Sequence, residues 1–344
     1  MALDLAGATA GLVFATSALG IIPTAALMGR ATEELAARSG PGIGGLLNVT
    51  FGNAPELIIA LFALGQGLHE VVKASIIGSI IGNILLVLGA AMLAGGLRRD
   101  KQVFSRTSAG VQTSMLLLAA AALLMPAIFE LVEGKGLPMP GAELVDYGST
   151  VEQLSIAVAV VLIATYVLGL VFSLKTHRDL FNPEYEDEDT WGWSTRTSIL
   201  ALAIAGVLVG VMSEVLVGSI TEASHSIGLS EFFIGVIVVA IVGNAAEHWV
   251  AVLVAMKDKM DLAVNIAIGS SGQVALFVAP ALVLASFFIG PYPLALVFNG
   301  FELGAILLAI LIANQVTQDG ESNWFEGVQL LAVYFVFGLA FYFA

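Results

Sequence analysis

The stretch Asn48-Val49-Thr50-Phe51-Gly52-Asn53-Ala54-Pro55-Glu56 runs through the middle of an apolar segment. A second version, Val239-Ala240-Ile241-Val242-Gly243-Asn244-Ala245-Ala246-Glu247, runs through the middle of another. The shared core, Gly-Asn-Ala-x-Glu, recurs at an offset of 191 residues. A carboxylate at mid-membrane depth costs ~2.5–3.5 kcal/mol on insertion scales, so such residues are by default candidates for function. Two of them in repeated settings turn the fold into a question of how two halves of one chain face each other.

Outward from these copies the chain is almost wholly apolar. Of its 344 residues, 58% are hydrophobic and 12% charged, which excludes a soluble globular domain. Ten apolar stretches are each long enough to span a bilayer as a helix: roughly 3–27, 42–66, 71–96, 107–129, 152–174, 196–219, 231–256, 261–288, 293–315 and 324–343. The first lacks a basic n-region and a small-residue cleavage site, so it reads as a retained span rather than a signal peptide. The last runs to the C-terminus. The absence of cysteine removes disulfides and thiolate metal sites. A net charge of −14 argues against a nucleic-acid partner.

Spans one to five (1–176) and six to ten (196–344) form two halves, joined by a linker over 177–195. Because five is odd, the second half enters the membrane from the opposite side. The expected fold is therefore an all-α membrane protein of ten helices in two inverted five-helix repeats, a plan common among secondary transporters. Gly78-Ser79 and Gly269-Ser270 repeat at the same offset of 191, and Gly29-Arg30-Ala31-Thr32-Glu33 resembles Gly218-Ser219-Ile220-Thr221-Glu222 at nearly that offset. With the N-terminus outside, the inner loops hold 11 of the 13 basic residues: Arg30, Arg38, Arg98, Arg99, Lys101, Arg106, Lys175, Arg178, Arg196, Lys257 and Lys259. Only Lys73 and Lys135 are left outside, so the positive-inside rule predicts both termini outside a multi-pass cell-membrane protein.

Arg30–Ser39 and Thr221–Ser230 read as short amphipathic helices at the inner and outer surfaces. Glu33 and Glu222 would then stand at opposite mouths of one pathway. The plainer alternative makes both solvated interfacial acids. Ser75, Ser79 and Asn83 form one polar stripe on the third span, and Asn265, Ser270, Ser271 and Gln273 mark the eighth. Small residues also serve helix packing, but amides in hydrocarbon need partners, which makes Asn83 and Gln273 informative. Spans four and five read as lipid-facing scaffold. Glu302 in the ninth span is a secondary candidate for an intramembrane acid, and Glu214 a weaker one. The run Glu184–Asp189 carries five acids in six residues. It reads as a hydrated linker, or as a low-affinity cation sensor without the order of an EF-hand loop.

Glycine in the motif weakens the helix, and Pro55 removes an amide donor, freeing a carbonyl one turn earlier. Such backbone is tolerated at membrane depth only where something other than lipid satisfies it. Glu56 and Glu247 add two negative charges, and Asn53 and Asn244 add amide oxygens. An all-oxygen site of this kind suits a hard divalent cation, calcium in particular. Empty, the two carboxylates would repel each other; protons or a divalent cation relieve that cost, which makes the site a competitive exchanger. His248, next to Glu247, either relays protons or makes a structural hydrogen bond.

These motifs resemble the calcium/proton antiporters, the CAX branch of the cation/calcium exchanger superfamily. The resemblance is carried by the two Gly-Asn-Ala-x-Glu copies, with Gly-Asn-Ala-Ala-Glu-His in the second half. Thr32-Glu33-Glu34, Lys257–Leu262, Gly269-Ser270-Ser271 and Asp319–Trp324 extend it. It implies that Glu56 and Glu247 bind the ion and the protons, and that the first and sixth helices slide past a fixed core. Glu33 and Glu222 would be mouth acids. The site expected from residues and resemblance together comprises Glu56, Glu247, Asn53, Asn244, Ala54, Ala245, Ser79, Ser270, Asn83 and Gln273, with Glu33, Glu222, His248 and Glu302 handling protons or gating. The expected function is exchange of cytoplasmic Ca²⁺ for external protons, with no cofactor. The rivals are a sodium-coupled or Mn²⁺ exchanger and, less favoured, a cation channel; an enzyme lacks a nucleophile-and-base pair. A homo-oligomer stays open, because lipid-facing and subunit-facing helices look alike in sequence.

Overall fold

The computed structural model of the chain describes residues 9–141, 150–177 and 191–344. The acidic run 184–189, and with it most of the expected linker, lies outside the described residues. The helices are α1 (Ala10–Gly52), α2 (Ala54–Gly65), α3 (His69–Gly96), α4 (Arg106–Val132), α5 (Thr150–Thr176), α6 (Thr195–Ile227), α7 (Glu231–Met256), α8 (Met260–Ala285), α9 (Gly300–Val316) and α10 (Trp324–Phe343). Among the described residues, eight helical stretches are long and apolar enough to cross a bilayer. A ninth is formed if the end of α1, Leu46–Gly52, and α2 make one span bent by 42°, while α9 is a shorter apolar helix. The molecule is an all-α, multi-pass membrane protein.

Helix boundaries follow local chemistry. Ser105, Ser194 and Ser230 accept a backbone N–H at the starts of α4, α6 and α7, and Asn299 and Asn323 form capping boxes with Glu302 and Glu326. Gly228, at φ 72°, ends α6 in the left-handed region. Within α1 the chain folds sharply: a Cβ on Gly44 would overlap the Ala36 carbonyl. Eight residues of straight helix would hold those positions about 12 Å apart. The stretch Ala10–Ser39 is thereby separated from Leu46–Gly52.

α3 and α8 form the core and are the most buried of the candidate spans. α1 and α6 pack along their whole length. Gly11 meets Ile227, Gly20 meets Met212 and Met28 meets Gly206, so the two helices run antiparallel. Large apolar side chains such as Leu118, Val161, Leu168, Val207 and Phe335 face outward from α4, α5, α6 and α10, a surface fit for hydrocarbon. At one end of the bundle the loops rich in basic residues meet. Arg99 pairs with Asp258 at 3.2 Å, Lys101 with Glu321 at 2.6 Å, and a two-residue antiparallel ladder joins Gln102–Val103 to Glu321–Ser322. At the opposite end His69 bonds the Tyr292 carbonyl and Glu70 accepts the Gly141 amide. We call these the basic end and the His69 end.

Three expectations change. The expected surface helices Arg30–Ser39 and Thr221–Ser230 are not separate: Arg30–Ser39 continues α1, and Thr221–Ile227 continues α6, which ends before Gly228. At 33 residues, α6 is about 50 Å long, well beyond a hydrocarbon core of ~30 Å. The ninth span does not begin at 293. Gly290-Pro291-Tyr292-Pro293 stops helix formation, and residues Leu294–Phe298 run non-helically through a buried position until Asn299 caps α9. Their backbone is satisfied by side chains instead: Ser286 accepts the Leu294 amide at 2.8 Å, Ser155 the Leu296 amide at 3.0 Å, and Lys73 donates to the Val297 carbonyl at 3.0 Å.

Candidate ion-binding site

The first motif breaks its helix. Asn53 lies between α1 and α2, and Pro55, lacking an N–H, sits in the first turn of α2 where that loss is harmless. The second motif keeps its helix but follows a π-helical turn, Ile234–Val239. Two more π-helical turns, Gly82–Val87 and Val274–Val278, flank the same region from α3 and α8. Wide turns of this type re-aim side chains and gather at functional sites.

The two copies clasp each other. A Cβ on Gly52 would lie 3.1 Å from Glu247 Oε1, and a Cβ on Gly243 would lie 3.0 Å from Glu56 Cγ. Each glycine thus makes room for the acid of the other copy. Two hydrogen-bonded polar groups lie around the acids. Asn244 Nδ2 donates to Glu56 Oε1, and lies 3.1 Å from Ser79 Oγ and 2.9 Å from the Ala240 carbonyl. Asn53 Nδ2 donates to Gln273 Oε1 at 2.5 Å, and Ser270 Oγ donates to Asn53 Oδ1 at 3.1 Å. Asn83 Nδ2 donates to Ser270 Oγ at 3.2 Å, and Asn83 Oδ1 faces His248 Nε2 at 3.1 Å. Glu56 Oε2 and Glu247 Oε2 are both buried with no hydrogen-bond partner. An orphaned carboxylate oxygen in the bundle interior is costly, and the two motifs each bring one. A small cavity lined by Glu56, Ser75 and Ser79 opens beside the first acid.

The structure therefore gathers two hydrogen-bonded groups, Glu56 with Asn244 and Ser79, and Asn53 with Gln273, Ser270, Asn83 and His248, with Glu247 against Gly52. Ala54 and Ala245 adjoin it and offer only backbone oxygens. Three candidates stand elsewhere. Glu302 is buried at the His69 end and accepts the Asn299 amide at 2.8 Å, because α9 starts at Gly300 and places it in the first turn. Glu33 and Glu222 are exposed near opposite ends of the antiparallel α1–α6 pair, and Glu33 pairs with Arg30 at 3.1 Å. Among the described residues no group of three acidic, histidine or cysteine side chains gathers. A cation between the motifs would have two carboxylates and neutral oxygens.

Two features escape the sequence reading. Glu34, not Glu33, is buried: it pairs with Arg30 at 3.0 Å and accepts the backbone amides of Trp191 and Trp193, while the Arg30 guanidinium lies 4.6 Å from the Trp191 ring centroid. Both acids lie one turn from Arg30, so spacing to Arg30 does not tell them apart. On α4, read as scaffold, Ser108 and Gln112 bond Asn265 of α8. Their i, i+4 spacing was the available sign.

Comparison with known proteins gives consistent relatives. The family described as sodium/calcium exchanger protein matches residues 9–175 and again 197–343. A Ca(2+)/H(+) antiporter of Aphanothece halophytica is 48% identical over 351 residues, covering 96% of this chain and 90% of the relative. The Ca(2+)/H(+) antiporter ChaA of Bacillus subtilis (strain 168) is 43% identical over 336 residues, covering 96% and 92%. The solved structure of native YfkE superposes with a TM-score of 0.84 at 39% identity, covering 99% of this chain and 95% of that one. By matched length, identity and fold, the chain belongs to the sodium/calcium exchanger protein family, among relatives named Ca²⁺/H⁺ antiporters.

Proposed function

We propose that this protein exchanges cytoplasmic Ca²⁺ for external protons by alternating access, at a midplane site formed by Glu56 and Glu247. The observation that carries the reading is the reciprocal clasp of the two motifs, with one buried, partnerless oxygen on each carboxylate. A divalent cation between them replaces two orphaned acceptors with one bidentate or bridging partner. Protons on both carboxyls remove the same charge. The site is then neutral in either loaded state and doubly charged only when empty, which couples the two fluxes. Asn53, Asn244, Ser79, Asn83, Ser270 and Gln273 orient the acids and add oxygens, Ala54 and Ala245 offer backbone carbonyls, and His248 relays or tunes protons through Asn83.

The ten-span, inverted plan accompanies this proposal. One family description fits each half separately, α1 and α6 run antiparallel, and the loops assigned to each side meet one another. In this plan the halves are 1–176 and 196–344 with the linker 177–195 between them. The basic end faces the cytoplasm, and both termini lie outside. Glu33 and Glu222 serve the two mouths. Relatives named for proton rather than sodium exchange, and the lack of a third carboxylate among the described site residues, favour proton coupling.

The test is calcium uptake into proteoliposomes driven by a pH gradient in sodium-free buffer. Glu56→Gln and Glu247→Gln are each expected to abolish it. Full exchange with both replaced would remove the site assignment, and uptake that requires sodium would remove the proton coupling.

A further inference from the structure

The cavity beside Glu56 lies on one side of the site only. Of its lining residues, Ala60 follows Glu56 by one turn of α2, and Ser75 precedes Ser79 by one turn of α3. Val239 precedes Gly243 on α7, and Val278 follows Gln273 on α8. α2 and α8 run toward the His69 end, and α3 and α7 run away from it. All four steps therefore lead the same way, and the cavity is a recess of the site toward the His69 end. It measures about 10 Å³, at the edge of the ~10–15 Å³ that one water needs. A cation surrounded by its oxygens is far larger, so the recess suits a single small ligand attached to the ion.

Two hydroxyls form part of the polar wall. Ser75 is buried, and its proton goes to the Val72 carbonyl at 2.8 Å. Only its lone pairs are left, so Ser75 Oγ acts as an acceptor. Ser79 Oγ accepts from Asn244 Nδ2 at 3.1 Å and keeps a second lone pair. Spacing of i, i+4 on one helix sets their Cβ atoms about 5–6 Å apart on a shared face. Two hydrogen bonds of about 2.8 Å through one water span that distance. Glu56, with Oε2 buried and unpartnered, completes the polar wall. A free water needs donors for its oxygen as well as acceptors for its hydrogens. A water bound to a cation is different: its oxygen faces the metal, and both hydrogens seek acceptors.

We propose that the calcium ion at the two-glutamate site keeps one water, seated in this recess and held between Ser75 Oγ and Ser79 Oγ. This rests on the exchange function proposed above. Ser75 is then a positioning residue: it touches the water, and through the water the ion. The retained water adds an oxygen to those that the protein supplies, which suits a cation that takes about six to eight of them in flexible geometry. Ser75 therefore sets the affinity for calcium and not the rate at which the two halves rearrange.

The experiment measures calcium KM and maximal rate of proton-driven uptake in proteoliposomes for wild type, Ser75→Ala, Ser75→Thr and Ser75→Val. Ser75→Ala removes the hydroxyl and adds no bulk. Its KM is expected to rise about fivefold, as for one lost hydrogen bond to the ion's shell, with the maximal rate unchanged. Threonine and valine have the same shape and differ by the hydroxyl, so Ser75→Thr is expected to keep a KM several-fold below that of Ser75→Val. A serine that serves only close helix packing predicts the reverse pattern: Ser75→Ala like wild type, and Ser75→Thr and Ser75→Val equally impaired. That outcome overturns the proposal, as does a lowered maximal rate at unchanged KM. If the two bulkier variants do not fold, Ser75→Ala decides alone. Failure of the exchange site is distinguishable through Glu56→Gln. Wild-type KM in Ser75→Ala beside an inactive Glu56→Gln removes the water and leaves the site, whereas full activity in Glu56→Gln removes the site itself.

Discussion

At the His69 end Gly78 and Gly235 bring α3 and α7 into backbone contact, whereas at the basic end their counterparts at the 191-residue offset, Gly269 and Gly44, meet quite different neighbours. A Cβ on Gly78 would overlap the Val236 carbonyl, and one on Gly235 would come within 2.9 Å of the Val71 carbonyl. Gly44, 191 residues before Gly235, turns against Ala36 of its own helix, and Gly269, 191 residues after Gly78, faces only the Gln112 amide oxygen at 3.4 Å. Burial follows the same division. Ile234 and Val239 are buried and Ile241 half-buried, while the mates Ile43, Asn48 and Thr50 are exposed, Ile43 at 61%. One sequence device thus takes two packings in one molecule: shut against the core at one end, standing away from it at the other. An exchange cycle of the proposed kind needs only to swap them.

The strongest way to break the comparison is to fill the shut contact. Gly78→Leu cannot keep α3 on the Val236 backbone, so we expect at least about a tenfold loss of transport and a stability cost of about 1–3 kcal/mol, seen as a lowered melting temperature. Gly269→Leu sharpens it. Here the added side chain meets the flexible end of Gln112, so stability is expected to change by less than about 1 kcal/mol. Transport is nevertheless expected to stop, because the ends can no longer swap; wild-type turnover in Gly269→Leu would mean that the basic end never closes on this glycine. Sequence without cysteine makes a direct readout simple. Thr50→Cys is expected to react with a water-soluble thiol reagent about tenfold faster than its mate Ile241→Cys, and saturating protons or calcium should alter that ratio if the two ends interchange. Smallest is Lys101→Met, which removes an exposed ion pair with Glu321; a change under about 0.5 kcal/mol and unaltered transport are expected.

The sequence makes the candidate site legible because mid-membrane polar residues are rare and expensive, so each announces itself. Asn53, Glu56, Ser79, Asn83, Asn244, Glu247, Ser270 and Gln273 are all brought close to the two motifs. What it does not carry is where helices begin and which of two adjacent residues faces inward. Hydropathy reads Leu294–Phe298 as helix, while Pro291 and Pro293 forbid its start and the Asn299-x-x-Glu302 box sets it later. Glu302 changes from a mid-span acid to a cap through that shift alone. Glu33 and Glu34 differ by one step of helical phase, enough to send one to the surface and the other under Trp191 and Trp193. Ser108 and Gln112 are hard to read in sequence because two polar residues near the end of a long apolar helix look like its fringe.

The reciprocal glycines bear on how the protein is made. Glu56 emerges from the ribosome with a helix whose partner, Gly243, is almost two hundred residues away, so the first half enters the bilayer carrying an acid without its seat. Until α7 is inserted, that carboxyl must stay protonated or wet, at the ~2.5–3.5 kcal/mol that a lone acidic residue costs in hydrocarbon. The nascent first half is then a natural client for insertion factors, and two fragments divided between α5 and α6 would find each other in the membrane because each holds the socket for the other's charge.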